Sequence, residues 1–247
     1  MPEGPSIVIL KEEAEIFTGR RVLAVSGNSR EDIQRMEGRE VIEFKTWGKH
    51  FLICFESFTV RIHLMLFGTY RINEQKAGVP RVSLTFDNGY LNFYNCSVKM
   101  WEGGAGDRYD WTADIMNDAW DAGNAEKKLQ ARPGALLCDV LLDQHIFAGS
   151  GNIIKNEVLY RVRLHPLNTV GRVPPEKRAE LIEETRNYAF DFLRWKKEYS
   201  LKKHWLAHTK TVCQRCNLPL VKAYLGKTRR RTFYCNNCQV LYEEPGG

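Results

Sequence analysis

No stretch of this 247-residue chain approaches 18 uninterrupted apolar residues, so no membrane-spanning helix is expected. The opening Met1-Pro2-Glu3-Gly4-Pro5-Ser6 has no basic region leading into an apolar run, so no secretory signal is expected either. Internal repeats and low-complexity tracts are missing, which excludes solenoid, collagen-like and wholly disordered classes. Acids are scarce in one place: from Lys196 to Arg231, eleven Lys or Arg stand against the single acid Glu198. Over the whole chain 36 basic residues exceed 30 acidic ones, a net +6 that favours a polyanionic partner without proving one. With 43% hydrophobic residues, the chain has enough apolar material for one large core or two small ones.

The seven cysteines divide into two kinds. Cys54, Cys96 and Cys138 stand singly among apolar neighbours and read as buried small hydrophobes. The other four form two pairs, Cys213-x2-Cys216 and Cys235-x2-Cys238, with eighteen residues between the pairs. Each pair can grip a metal from a tight turn, and the stretch between them is long enough for a hairpin that returns the chain. Four thiolates complete the tetrahedral shell of Zn²⁺, so one structural zinc with no open catalytic position is expected. Two disulfides are the competing reading, and they require an oxidising compartment.

Two textures follow each other along the chain. Val22–Val25, Val41–Lys45, Phe51–Phe55, Thr59–His63, Val82–Phe86 and Leu91–Tyr94 read as short strands separated by turn residues. Asp87-Asn88-Gly89-Tyr90 predicts a type I′ hairpin. Ile7–Phe17 before them reads as a helix with acids on its outer face. The expectation is an α+β protein of two domains, the first (1–121) a β-sandwich with an N-terminal helix. Residues 122–132 read as a linker. After Pro133 the period turns helical: Leu136, Leu137, Val140 and Leu141, then Ile153, Ile154, Val158 and Leu159, with Ala148-Gly149-Ser150-Gly151-Asn152 as a glycine turn between them. Pro174-Pro175 opens a long amphipathic helix. The second domain is thus expected to be helical over 133–210, closed by a β-hairpin finger over 211–245.

Two features of that second domain suit phosphate. A glycine turn at a helix start offers backbone N–H groups and a positive dipole end, to which Asn152 can add a donor or which it can simply cap. The hairpin between the cysteine pairs carries Lys227, Arg229, Arg230 and Arg231, too many charges for a purely structural loop.

In this order and spacing, Met1-Pro2-Glu3-Gly4-Pro5, Gly48-Lys49, Leu142-Asp143-Gln144 leading into Ala148–Ile153, and Arg230-Arg231-Thr232-Phe233-Tyr234-Cys235 with Cys238-Gln239 resemble the formamidopyrimidine-DNA glycosylase/endonuclease VIII family. The resemblance covers most of the chain and is weakest from Gly103 to Arg132. It implies a helix–two-turn–helix second domain. It also implies a base-excision repair enzyme that removes oxidised bases from DNA and cleaves the strand by β/δ-elimination.

In that family's scheme Pro2, freed of Met1, is the nucleophile. Its α-amino pKa near ~8 leaves a neutral fraction that can attack C1′ of the damaged nucleotide and form a Schiff base. Glu3 matches the general acid/base and Lys49 the catalytic lysine. Arg230 matches the finger arginine at the flipped nucleotide, with Arg229 and Arg231 as neighbours for the same phosphates. Asn152 and His63 match DNA contacts. Ile62–Gly68 resembles the loop that fills the vacated stack, with Leu66 as the first choice of wedge and Met65 and Phe67 as competitors.

Two departures stand out. Ser6 replaces a usual second glutamate, and the segment from Tyr199 to Cys213 is short where a lid over an oxidised purine would lie. Together with the opening motif, the short segment leans toward the endonuclease VIII branch and oxidised pyrimidines. The alternative is a catalytically silent DNA-binding protein on the same scaffold, which Ser6 favours; an RNA-binding zinc ribbon explains the finger but not Pro2, Glu3 and Lys49 together. Damaged DNA as partner, a monomer, no membrane, and a bacterial cytoplasm with nucleoid DNA as substrate complete the expectation.

Overall fold

Pro5 sits in the first turn of helix α1 (Gly4–Ala14), where its missing N–H leaves no helical bond unmade. The structure, a computed structural model, describes residues 2–242. Met1 and the last three residues of the expected finger, 243–245, lie outside the described residues. Helix α1 turns Ile7, Leu10 and Ala14 inward, and the 3-10 turn Glu15–Phe17 adds Phe17, whose ring stacks on Phe86 at 4.4 Å.

Eight strands follow: β1 (Ala24–Ser26), β2 (Glu43–Trp47), β3 (His50–Cys54), β4 (Phe58–His63), β5 (Thr69–Ile72), β6 (Val82–Phe86), β7 (Gly89–Tyr94) and β8 (Ser97–Glu102). They form two antiparallel four-stranded sheets, in the orders β1-β6-β7-β5 and β2-β3-β4-β8. Phe44, Phe51, Val60, Ile62, Leu84, Leu91 and Phe93 share one apolar core, and α1 packs against β2 and β3. The expected β-sandwich with its N-terminal helix is present. The type I′ turn is not. Phe86 pairs with Gly89, and neither Asp87 nor Asn88 takes a positive φ; Gly89 alone does, at +147°. A Cβ on Gly89 would lie 2.0 Å from Asn73 Oδ1, which accepts the Tyr90 N–H at 2.9 Å.

The chain divides into two compact units at Asp110/Trp111. Helices α2 (Ala122–Gln130), α3 (Leu137–Val140), α4 (Asn152–Arg161) and α5 (Pro175–Lys197) and the hairpin β9 (Val221–Leu225)/β10 (Arg230–Tyr234) build the second. Residues 122–132, expected as a linker, are instead helix α2 and the turn after it. Asp121 caps α2 by accepting the Asn124 N–H at 3.1 Å. Ala125 and Leu129 bury one face, and Glu126 receives Arg178 from α5 at 2.8 Å. Helix α4 runs through the middle of this unit, with every residue from Ile154 to Tyr160 buried. No helix among the described residues is long and apolar enough to cross a membrane.

Candidate active site and nucleic-acid interface

In the N-terminal unit Pro2 is half-buried and Glu3, its neighbour, is only 1% exposed. Glu3 is the N-cap of α1: its carbonyl accepts the N–H of Ser6 at 2.8 Å and of Ile7 at 3.3 Å, which fixes where the chain enters the helix. A carboxylate held at a helix N-terminus is favoured by the dipole there. Lys49 occupies the two-residue hairpin joining β2 to β3. Gly48 takes φ +54° and Lys49 does not enter the left-handed region, the type II′ pattern that requires glycine first.

That hairpin is clamped from one side. Trp47 donates Nε1–H to the Asp110 carbonyl at 3.0 Å and stacks on Tyr109 at 4.8 Å, whose hydroxyl lies 3.2 Å from His50 Nδ1. His50 and His63 face each other across β3 and β4 with ring centroids 5.2 Å apart. Burial lowers the His63 pKa, helped by the charges of Arg61 and Lys49. Burial likewise brings His50 down to about 3, with Arg61, His63 and Lys49 adding to it. Both rings are therefore neutral near pH 7, and Lys49 and Arg61 supply the cationic charge. The Lys49 charge thus acts on His63, which puts these two expected site residues within electrostatic reach of each other.

After β4 the chain makes a tight loop, Leu64–Gly68, closed by Gly68 N–H donating to the Leu64 carbonyl at 2.7 Å. A Cβ on Gly68 would stand 2.0 Å from that carbonyl oxygen, so only glycine closes the loop. The three residues between project apolar side chains into solvent: Met65 is 48% exposed, Leu66 46% and Phe67 76%. Core packing, the ordinary fate of such residues, does not apply to them.

In the C-terminal unit the glycine turn is stapled by Gln144. Its Oε1 accepts the Gly149 N–H at 3.1 Å while its Nε2 donates to the carbonyls of Leu142 and Ser150. Gly149 takes φ +97°, and the N-cap of α4 is Gly151, which has no side chain of its own to cap the helix. Asn152 is the first helical residue rather than the cap, and its Nδ2 donates to the Arg231 carbonyl at 2.8 Å. Two more α4 side chains continue this stitching along β10. Lys155, fully buried, donates Nζ–H to Thr232 Oγ1 at 2.8 Å, and Asn156 Oδ1 accepts the Phe233 N–H at 3.3 Å. Glu157, also fully buried, accepts the N–H groups of Leu206, Ala207 and His208 at 2.7–3.0 Å. The sequence reading missed Lys155, Asn156 and Glu157. Three polar residues between Ile154 and Val158 are the one signal the sequence offers.

The four finger cysteines bring their Sγ atoms within 4.8 Å of one another. Cys213 and Cys238 lie 3.8 Å apart and Cys216 and Cys235 3.6 Å, too long for disulfides at ~2.05 Å. A tetrahedral shell with Zn–S near ~2.3 Å spaces its sulfurs by ~3.8 Å. The donor set fits a metal. Burial pushes the Cys213 thiol up, but the Tyr160 hydroxyl at 3.2 Å and backbone N–H groups of Arg215 and Cys216 outweigh it and bring the pKa down to about 6. Cys54, Cys96 and Cys138 are buried as expected, and burial raises each thiol to about 11.

Of the finger arginines, Arg229 lies in the turn at φ +46°, exposed. Arg230 is half-buried and pairs with Leu225. Arg231 is exposed, points to the opposite face of β10 and reaches over the Tyr224 ring at 6.0 Å. Asp139 on α3 holds the hairpin tip by accepting the Lys227 N–H at 2.9 Å; a Cβ on Gly226 would meet the same carboxylate at 2.2 Å.

The sequence profile of the formamidopyrimidine-DNA glycosylase N-terminal domain matches residues 1–97. The Endonuclease 8-like 3 protein of Xenopus laevis is 29% identical over 233 residues, covering 88% of this chain and 38% of that protein. Endonuclease 8-like 2 of Mus musculus is 34% identical over 173 residues, 68% of this chain and 50% of that protein. The chain belongs to the formamidopyrimidine-DNA glycosylase/endonuclease VIII family. It spans about two fifths of the length of the Endonuclease 8-like 3 relatives. The fold of this family member is also that of the Lactococcus lactis formamidopyrimidine-DNA glycosylase non-covalently bound to DNA containing an AP site. The TM-score is 0.84 at 17% identity, with 96% of this chain and 99% of that chain covered. A viral DNA glycosylase superposes with a TM-score of 0.83 at 19% identity, covering 96% of this chain and all of that one.

Proposed function

We propose that this chain is a DNA glycosylase with abasic-site lyase activity that removes oxidised bases, pyrimidines foremost, from DNA. The observation that carries the proposal is the buried carboxylate of Glu3 at the start of α1, next to Pro2. With Met1 removed, Pro2 carries a secondary amine whose neutral form attacks C1′ of the damaged nucleotide. The glycosidic bond breaks and the base departs with the bonding electrons and the proton lost by the Pro2 nitrogen, leaving Pro2 joined to C1′ with the sugar ring still closed. Glu3 protonates the ring oxygen, the bond from C1′ to that oxygen breaks as the nitrogen lone pair forms the iminium, and Glu3 then shuttles protons between steps. The iminium acidifies C2′, whose proton leaves as the C3′–O bond to phosphate breaks. Lys49, in its glycine-led hairpin, and His63, held neutral, contact the strand and assist ring opening.

Met65, Leu66 and Phe67 supply the wedge, Leu66 foremost. In the C-terminal unit, Arg230 holds the phosphates at the flipped nucleotide, with Arg229 and Arg231 beside it. Asn152 joins the start of α4 to β10, so its part in phosphate binding includes positioning the finger. Cys213, Cys216, Cys235 and Cys238 would hold one structural Zn²⁺, whose chemistry here is only to fix the finger's fold. The chain acts as a monomer on damaged DNA. Its named relatives come from vertebrates, and the bacterial cytoplasm expected from the sequence is part of this proposal only.

Base release tests the reading. Wild type is expected to liberate an oxidised pyrimidine from duplex DNA. Glu3→Gln is expected to lose about 10²–10⁴-fold in rate, the usual contribution of a general acid/base, while still binding the duplex. Binding without any release by wild type would give the silent scaffold the place of the enzyme.

A further inference from the structure

After α5 ends with Glu198 as its C-cap, Tyr199 takes φ +55° and leaves 98% of its surface exposed. A left-handed residue just past a helix is ordinarily glycine, because a Cβ there strains the backbone. Tyr199 accepts that strain, and its ring recovers nothing by packing.

The chain around it is cationic. Lys196 and Lys197 close α5, and Lys202 and Lys203 lie on the 3-10 turn Leu201–His204; all four are exposed, against the single acid Glu198. This turn is folded back on α5, with the His204 ring stacked 4.1 Å from that of Trp195 at an interplanar angle of 6°. Arg161 of α4 donates to the His204 carbonyl at 3.3 Å. Lysines on both sides of Tyr199 are thereby held on one rigid knob. Cations at a helix C-terminus are stabilising in themselves, which accounts for Lys196 and Lys197. It does not account for Lys202, Lys203 or the tyrosine.

The knob is also tied to the helix that carries the finger. From His204 the chain enters Trp205–His208, whose N–H groups from Leu206 to His208 bind Glu157, while His208 Nδ1 lies 3.0 Å from Asn156 Nδ2.

We propose that Tyr199, with Lys196, Lys197, Lys202 and Lys203, is a docking surface for unpaired nucleotides of the DNA strand beyond the lesion. One base stacks on the ring and the flanking phosphates lie against the lysines. An exposed aromatic among flexible cations suits single strands, because every unpaired base offers a π-face whatever its identity. In a duplex those faces are hidden in the stack, so the surface distinguishes unpaired from paired DNA. The inference rests on the reading of the chain as a DNA-binding enzyme.

Fluorescence anisotropy with the full chain tests it on three probes: a blunt duplex with an abasic analogue, the same duplex with a short oligo-dT extension, and the same with a base-free phosphodiester extension. The dT extension is expected to tighten binding about fivefold or more over the base-free one, the worth of a base on one aromatic ring. Tyr199→Gly is expected to erase that difference and to raise the melting temperature, since glycine relieves the left-handed strain; Tyr199→Trp should keep the difference. The double change Lys202→Ala with Lys203→Ala should lower the slope of log affinity against log salt by roughly 1.4 on the extended probes, for two single-strand phosphates, and leave it unaltered on the blunt duplex. Equal affinity for the dT and base-free extensions, or a difference that survives Tyr199→Gly, would overturn the proposal. No binding of the blunt duplex by wild type would overturn it together with the DNA-binding reading, a distinguishable result.

Discussion

Burial, not sequence neighbourhood, sets the charge of the histidines. His50 sits beside Lys49 in the chain, and the loss of solvent around it brings its pKa to about 3; His208, buried against α4 and near Lys155 and Arg231, falls to about 4. Below pH ~6.5 the unfolded chain takes up protons that these two folded rings refuse, so their contribution to stability is whole above that pH and is lost as pH falls toward 4 and 3. Denaturant unfolding at pH 7 and pH 5 is expected to show lower stability at pH 5. His50→Asn, whose side chain has no titrating ring, is expected to flatten that dependence. An unaltered dependence in this variant would mean that other groups carry it.

At this scale the sequence was most informative where chemistry demands particular atoms. The spacing of Cys213, Cys216, Cys235 and Cys238 is enough to predict a cluster, because thiolate geometry around a metal leaves few alternatives. Nothing comparable marks Glu157, whose partners at 206–208 lie about fifty residues further on and exist only once α4 is buried.

Elements were legible where their periodicity involved many residues. The strands read from alternation fall close to those observed, because each pairs one buried face with a neighbour. Helix α2 shows no period in the sequence, because only Ala125 and Leu129 are buried on it. The hairpin at Asp87 departs from type I′ because the left-handed angle falls on Gly89, where Asn73 fills the space a Cβ would need. In the finger the fold depends on contacts between elements. Asp139 reaches from α3 to the Lys227 N–H, so the tip that carries Arg229 and Arg230 is anchored at Lys227. Asp139→Ala is expected to cost about 1.5–3 kcal/mol locally, the range for a hydrogen bond to a charged group. Faster amide exchange at residues 226–229 and weaker DNA binding, with the metal still bound, are the signs to measure.

For the whole molecule, the two compact units predict separable stabilities. The N-terminal unit closes its own core between two sheets and α1. The finger buries only a small cluster around Tyr160, Ala207, Cys213, Leu220 and Cys235, too little apolar surface to hold a hairpin without a metal. Metal analysis should find one zinc per chain. Chelation should unfold the finger and abolish DNA binding, while the β-sandwich keeps its amide protection; a metal-free chain with full DNA affinity would contradict this.

The proposed reaction turns on one bond, between the nitrogen of Pro2 and C1′ of the sugar. Borohydride reduction during incubation with abasic DNA, followed by mass mapping of the crosslinked peptide, tests it directly. With protein shown by mass to begin at Pro2, a covalent adduct located on Pro2 is expected, much reduced in a Pro2→Gly variant. An adduct mapping to a lysine, or no adduct from protein with a free Pro2, would contradict it.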